Sequence, residues 1–144
     1  MHFFESLNLL KSTYAACVKP VCTQYGLTRM EFDVLMFLCN HPQFDTASDI
    51  VKIRKLTKSH VSGALKGLTQ RGLLDPFYRE GNRKTIHLRL LPAAQPILED
   101  GRAAQERFGT ILFAGFSQEE FAQCRSMFER ACAHARVFMQ EGSR

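Results

Sequence analysis

Between Thr57 and Leu91 the chain reads TKSHVSGALKGLTQRGLLDPFYREGNRKTIHLRLL, and this run restricts the fold more than any other stretch. Its first half has helical periodicity. Val61, Ala64, Leu65 and Leu68 recur at i, i+3, i+4 and i+7, so they share one inward face. Ser59, Ser62, Gly63, Lys66 and Gln70 fall on the opposite face, with Lys58 and His60 near the helix start. Thr57 is placed to cap that helix and Gly72 to stop it. The second half has strand character. LLDPFYRE and TIHLRLL read as two strands, with GNRK as the turn between them. Ile86, Leu88 and Leu90 alternate with His87, Arg89 and Leu91, and Pro76 predicts an edge position or a bulge.

Upstream, Asp45 or Thr46 can cap a short helix, ASDIVKI, and RKL then turns into the helix that Thr57 begins. Two short helices joined by a tight turn and followed by a basic hairpin form a winged helix-turn-helix. The fold class expected is therefore mostly α, with a small β-hairpin wing.

Charge sharpens this reading. The chain is basic, with net charge +5, and the excess sits in one place. Residues 50–90 hold ten Lys and Arg against Asp75 and Glu80, a local +8; the remainder, nine basic and twelve acidic, is −3. Such a patch asks for a polyanion. The major groove of DNA is about 12 Å wide and admits one α-helix. The entering end needs small or hydrogen-bonding side chains, which Lys58, Ser59, His60 and Ser62 supply just after Thr57. The hairpin tip can carry Arg83 into the minor groove, whose narrow stretches attract guanidinium groups. Lys52, Lys66, Arg79 and Lys84 are candidates to neutralise phosphates.

The rest of the chain reads as helices. Phe3, Leu7, Leu10, Tyr14, Cys17 and Val21 draw a seam along the first 25 residues, with Pro20 expected to kink or divide that helix and Gly26 to end it. Thr28 and Glu31 form a capping box for an almost wholly apolar helix that Pro42 closes. Pro92 opens the next helix, in which Ile97, Gly101, Ala104, Phe108 and Ile111 trace a seam. Ser117 and Glu120 begin the last, with Phe121, Cys124, Phe128, Ala131, Ala135 and Phe138 stepping by three and four. Residues 1–25 and 92–144 are thus expected to form a helical dimerisation region around a DNA-binding domain at 28–91. Phe3, Leu7, Leu10, Tyr14, Phe121, Phe128, Ala131 and Phe138 are the candidate interface residues, because a lone arm has little to bury its seam against except a partner chain.

Other classes find little support. No apolar run approaches the roughly 18 residues of a membrane span, and the start lacks a basic stretch followed by an apolar one, so a cytoplasmic protein is expected. The five cysteines, Cys17, Cys22, Cys39, Cys124 and Cys132, are odd in number and lack a C-x-x-C pair, which suits reduced, mostly buried thiols. No phosphate loop, H-E-x-x-H or G-x-S-x-G motif occurs, and the adjacent pairs Glu99/Asp100 and Glu119/Glu120 do not share a helix face, so catalysis is not expected, nor any cofactor.

The stretches LTRMEFDVLMFL, TASDIVKIRKLTKSHVSGALKGLTQRGLL and REGNRKTIHLRLLP together resemble the MarR (multiple-antibiotic-resistance regulator) family of bacterial transcription factors, over about residues 5–140. The resemblance implies a homodimer whose terminal helices pack together and whose winged domains each read half of a pseudo-palindromic operator. It assigns recognition to the helix at 57–70 and minor-groove contact to Arg83. It also implies a repressor controlled by a small apolar or aromatic effector in a crevice between winged domain and dimer helices. Tyr14, Phe32 and Met36 are candidates to line that crevice, with core packing the competing role for each. Two departures stand out. Asn82 replaces the acidic residue that usually precedes the wing arginine, which is expected to loosen the wing. Gly63 stands where a larger or basic residue is common, which permits close backbone approach to DNA. Some relatives sense oxidants through a thiol near the start of the first helix, where this chain has Phe3 and Phe4. Zinc-sensing relatives use a His-x-x-x-His pair, and no His lies between Pro92 and Phe113. The alternatives are a thiol-oxidation-controlled regulator and a winged-helix module that binds protein without DNA.

Overall fold

The structure, a computed structural model, describes residues 2–142. Helix α1 spans Phe3–Tyr25, α2 Arg29–Asn40, α3 Ala47–Arg54 and α4 Lys58–Gln70. Strands β1 (Leu74–Arg79) and β2 (Asn82–Leu90) pair antiparallel, and α5 (Gln95–Leu112) and α6 (Gln118–Glu141) complete the chain. The fold class is as expected, mostly helical with a hairpin wing. No helix among the described residues is long and apolar enough to cross a membrane.

Local chemistry sets the helix ends. Capping boxes start α2 (Thr28 with Glu31) and α6 (Ser117 with Glu120). A third box, Thr46 with Asp49, starts α3 and settles the choice of cap in favour of Thr46. Thr57 occupies the N-cap of α4 but makes no side-chain cap bond. Lys55 turns the chain between α3 and α4 in the left-handed region, at φ 55°, a conformation that disfavours side chains with a Cβ.

Two expectations are corrected. Pro20 does not divide α1, which runs unbroken to Tyr25 and ends at Gly26. Pro20 and Ala16 are both exposed, so water can serve the carbonyl that the proline leaves unbonded. The turn expected at GNRK is shorter, because Asn82, Arg83 and Lys84 belong to β2 and only Glu80–Gly81 turn. Tyr78 pairs with Ile86 but Arg79 with Asn82, so Arg83, Lys84 and Thr85 form a bulge at the tip. The Asn82 carboxamide oxygen accepts from the backbone N–H of Lys84 at 2.9 Å and of Thr85 at 3.3 Å, which folds the bulge. The loosening expected from Asn82 is therefore met by two bonds from its own side chain. Pro92 begins a single 3-10 turn that leads into α5.

The core is built around α2, whose Phe32, Val34 and Leu35 are fully buried. Ile50 from α3, Val61 and Leu68 from α4, and Leu74 and Leu88 from the hairpin join it. Each such side chain contributes about 1.5–3 kcal/mol by leaving water. Val18 and Val21 of α1, Ala94 of the 3-10 turn, and Ile97, Leu98 and Ala104 of α5 belong to the same core. Packing divides the chain between Phe108 and Gly109, so much of α5 and the end of α1 share a core with residues 28–91. The second unit contains the end of α5 and all of α6, and no residue of α6 is buried.

Candidate nucleic-acid interface

Helix α4 is held by its inward face and offers the other. Val61, Ala64 and Leu68 are buried, whereas Lys58, Ser59, His60, Ser62, Gly63 and Lys66 are exposed, as is Thr57 before them. A crevice runs along each flank. One, of about 630 Å³, lies between α3, α4 and the hairpin, with Val51, Leu65, Ile86 and Leu88 on an apolar wall and Lys52, Lys58 and Lys66 also lining it. The other, of about 550 Å³, lies between Thr28, Met30 and Glu31 of the α2 start and Ser59, His60 and Gly63. Between them α4 stands as a ridge, with a helix diameter of about 10–12 Å that suits a major groove.

Gly63 has open space where a Cβ would stand. Gly67 does not, because a Cβ there would lie 2.7 Å from Glu31 Oε2. Gly67 thus lets α4 approach the capping carboxylate of α2, a role the sequence did not suggest.

The ten cations of residues 50–90 separate into two groups. Arg54 lies 3.8 Å from Asp33, Arg89 lies 3.6 Å from Asp75, and Arg79 lies 3.3 Å from Asp45. Arg71 donates to the carbonyls of Tyr25 and Gly26. Lys52, Lys55, Lys58, Lys66, Arg83 and Lys84 form no ion pair among the described residues, and all are exposed. Arg83 stands at the hairpin tip, 5.9 Å above the ring of Tyr78. Arg79, a candidate phosphate contact, faces an internal partner in this structure, although its side chain is still 63% exposed.

The sequence offered Asp45 only as a possible helix cap. Its Oδ1 lies 2.7 Å from His87 Nδ1 and its Oδ2 accepts from Arg79. Burial works against its ionisation, but the bonds from His87 and Arg79, with their charge, outweigh burial and hold the carboxyl below its ordinary value. Its backbone carbonyl accepts from Leu88 N–H at 2.8 Å, and Thr46 bridges His87, so the α2–α3 linker adds a short third edge to the hairpin.

The effector candidates separate. Phe32 is wholly buried and Met36 nearly so, both packed in the core. Tyr14 is half-buried, takes a hydrogen bond from Gln105 and has Arg29 4.8 Å over its ring. It lines an open crevice of about 590 Å³ with Lys11, Arg29 and Arg54, and with Met36 a small cleft of about 50 Å³.

Of the interface candidates, Phe3, Leu10, Phe121, Phe128, Ala131 and Phe138 are exposed, and Leu7 and Tyr14 are half-buried. All five cysteines are free, with Cys17 buried and the rest partly so. Burial pushes the Cys22 thiol up against the pull of Arg29, which reduces its reactive thiolate form.

Residues 25–81 match the model of the MarR family. No curated protein is matched by the sequence. A MarR family transcriptional regulator from Listeria monocytogenes, solved with 26mer DNA, superposes with TM-score 0.81 at 16% identity, covering 93% of this chain and 88% of that one. The S. aureus MepR–DNA complex gives 0.75 at 18%, covering 94% and 96%. Bordetella bronchiseptica BpsR, whose DNA binding is regulated by 6-hydroxynicotinic acid, gives 0.71 at 20%, covering 92% and 99%. The segment that carries the ridge and the first strand of the hairpin thus matches the MarR family in sequence, and the chain has the fold of MarR-family DNA-binding transcriptional regulators.

Proposed function

We propose that this protein is a sequence-specific, double-stranded-DNA-binding transcriptional regulator that acts as a cytoplasmic homodimer and represses its target. The observation that carries this reading is the α4 ridge, flanked by Lys52, Lys58 and Lys66, with Arg83 and Lys84 at the hairpin tip and no ion pair on any of the five among the described residues. Lys58, Ser59, His60 and Ser62 would read base edges, with Thr57 at the helix start and Gly63 allowing close approach. Arg83 would enter the minor groove, and Lys52, Lys66, Arg79 and Lys84 would meet phosphates. Residues 28–91 would form the reading domain, and the terminal helices the dimer. An α6 without a buried residue, showing Phe121, Phe128 and Phe138 to solvent, supports a partner helix as its cover.

Control would come from a small molecule. The open crevice at Tyr14, ringed by Lys11, Arg29 and Arg54, suits an aromatic acid, and BpsR, which shares the fold, responds to one. The reading is tested by titrating the protein onto a duplex from its own promoter region at rising salt. Affinity should fall steeply, and Arg83→Ala and Lys58→Ala should each cost about 1–3 kcal/mol of binding with dimerisation intact. Binding by both variants equal to wild type overturns the site assignment.

A further inference from the structure

We propose that Asp45 is a positioning residue for the wing, fixing the hairpin so that Arg83 at its tip can reach its groove. The inference rests on the DNA-binding reading above. A two-stranded hairpin is marginal by itself and needs other elements to fix its direction. Here the buried anchors lie at its base, Leu74 and Leu88. Towards the tip Tyr78 and Ile86 are about half exposed and hold little. What ties the outer part down is one carboxylate that engages both strands, at His87 on β2 and at Arg79 on β1, where the tip bulge begins. The linker backbone adds the bond from Leu88 N–H and the Thr46–His87 bridge, so Asp45 joins the α2–α3 corner to the hairpin by main chain and side chain together.

Charge alone predicts the opposite of what positioning predicts. Asp45 is an anion beside the basic hairpin, so its removal should strengthen binding by simple Coulomb attraction. Removal also frees Arg79 to meet a phosphate. If Asp45 positions the wing, its removal weakens binding instead, and weakens it through Arg83.

The test is a double-mutant cycle on duplex binding with wild type, Asp45→Ala, Arg83→Ala and the double variant, each shown to be folded by circular dichroism. Asp45→Ala is expected to lose affinity on the order of fivefold, and to lose almost none in the Arg83→Ala background. In a Lys58→Ala background the fivefold loss should persist. Asp45→Asn keeps the size and an oxygen for His87 but loses the ion pair; it should fall between, and it carries the cycle if Asp45→Ala does not fold. Stronger or unchanged binding by the Asp45 variants overturns the proposal, as do losses from Asp45 and Arg83 that simply multiply. If wild type shows no salt-sensitive duplex binding, the functional reading fails first and takes this inference with it.

Discussion

Arg71, the C-cap of α4, donates from Nη2 to the carbonyl of Tyr25 at 2.5 Å and from Nη1 to that of Gly26 at 3.2 Å. Tyr25 in turn donates its hydroxyl to Asp100 on α5 at 2.5 Å. A cation that the sequence counts within the polyanion-binding window thus works as a brace between the end of α4 and the α1–α2 corner. Arg71→Ala should lower stability by about 1 kcal/mol, read as the urea midpoint at fixed protein concentration. It should leave the slope of log affinity against log salt unchanged, whereas Lys66→Ala should reduce that slope by about 1.

Gly63 and Gly101 make a contrasting pair. Both sit inside helices, where Gly is about 1 kcal/mol less favourable than Ala. At Gly63 an added methyl meets open space, so Gly63→Ala should stabilise the fold by up to about 1 kcal/mol. At Gly101 a Cβ would lie 2.5 Å from Met36 Sδ and 3.1 Å from Phe32 Cε2, both in the core. Gly101→Ala should therefore destabilise by about 1–3 kcal/mol despite its better helix propensity. Thermal melts of the two variants should shift in opposite directions.

Asp45 also gives an acid limb with a defined sign. Its carboxyl in the folded chain lies below the ordinary value, so on acidification the unfolded state takes up the proton first. The stabilisation is complete above the unfolded value of about 3.9 and is lost as pH falls through the lower folded value. Between about pH 5 and pH 3 the urea midpoint of wild type should drop more steeply than that of Asp45→Asn. Parallel curves would show that the His87 and Arg79 contacts do not persist in solution.

What could be read without the structure was mostly what is local. Thr28 with Glu31 and Ser117 with Glu120 are three residues apart, and both boxes form. The apolar period of Val61, Ala64, Leu65 and Leu68 gave the inward face of α4, with Leu65 only partly buried. Asp45 and His87 stand 42 residues apart, and neither is conspicuous in the sequence, so their pairing appears only when the linker meets the hairpin. Arg54, Arg71, Arg79 and Arg89 looked like four outward charges for the same reason, since their partners come from other elements or the opposite strand. The wing tip misled because Asn and Gly signal a turn, while the Asn82 side chain here folds a bulge within the strand.

Asn82 then allows a test of the tip. Asn82→Asp keeps an oxygen acceptor for the Lys84 and Thr85 N–H groups, so the bulge should survive; Asn82→Ala removes it. Backbone amide exchange at Lys84 and Thr85 should accelerate in Asn82→Ala and stay near wild type in Asn82→Asp. Duplex binding should weaken in the alanine variant by a few-fold, on the order of 1 kcal/mol for a misplaced tip. Equal exchange in all three proteins would mean that the Asn82 carboxamide does not hold the bulge.

The last helix carries the clearest unfilled apolar face. Phe128 is 66% and Phe138 72% exposed, and α6 has no buried residue. Placed ten positions apart, they lie roughly 15 Å from each other along the helix axis, so a single small contact could not cover both. A paired helix from a second copy could. Phe128→Glu and Phe138→Glu should each shift the protein from dimer towards monomer in sedimentation at micromolar concentration. Each puts a charge where a partner would bury it, a change of several kcal/mol when unpaired. Because each reading unit would then meet its half-site alone, operator affinity should fall far more than affinity for a single half-site. Should both variants sediment as wild type does, α6 is not the surface through which copies associate.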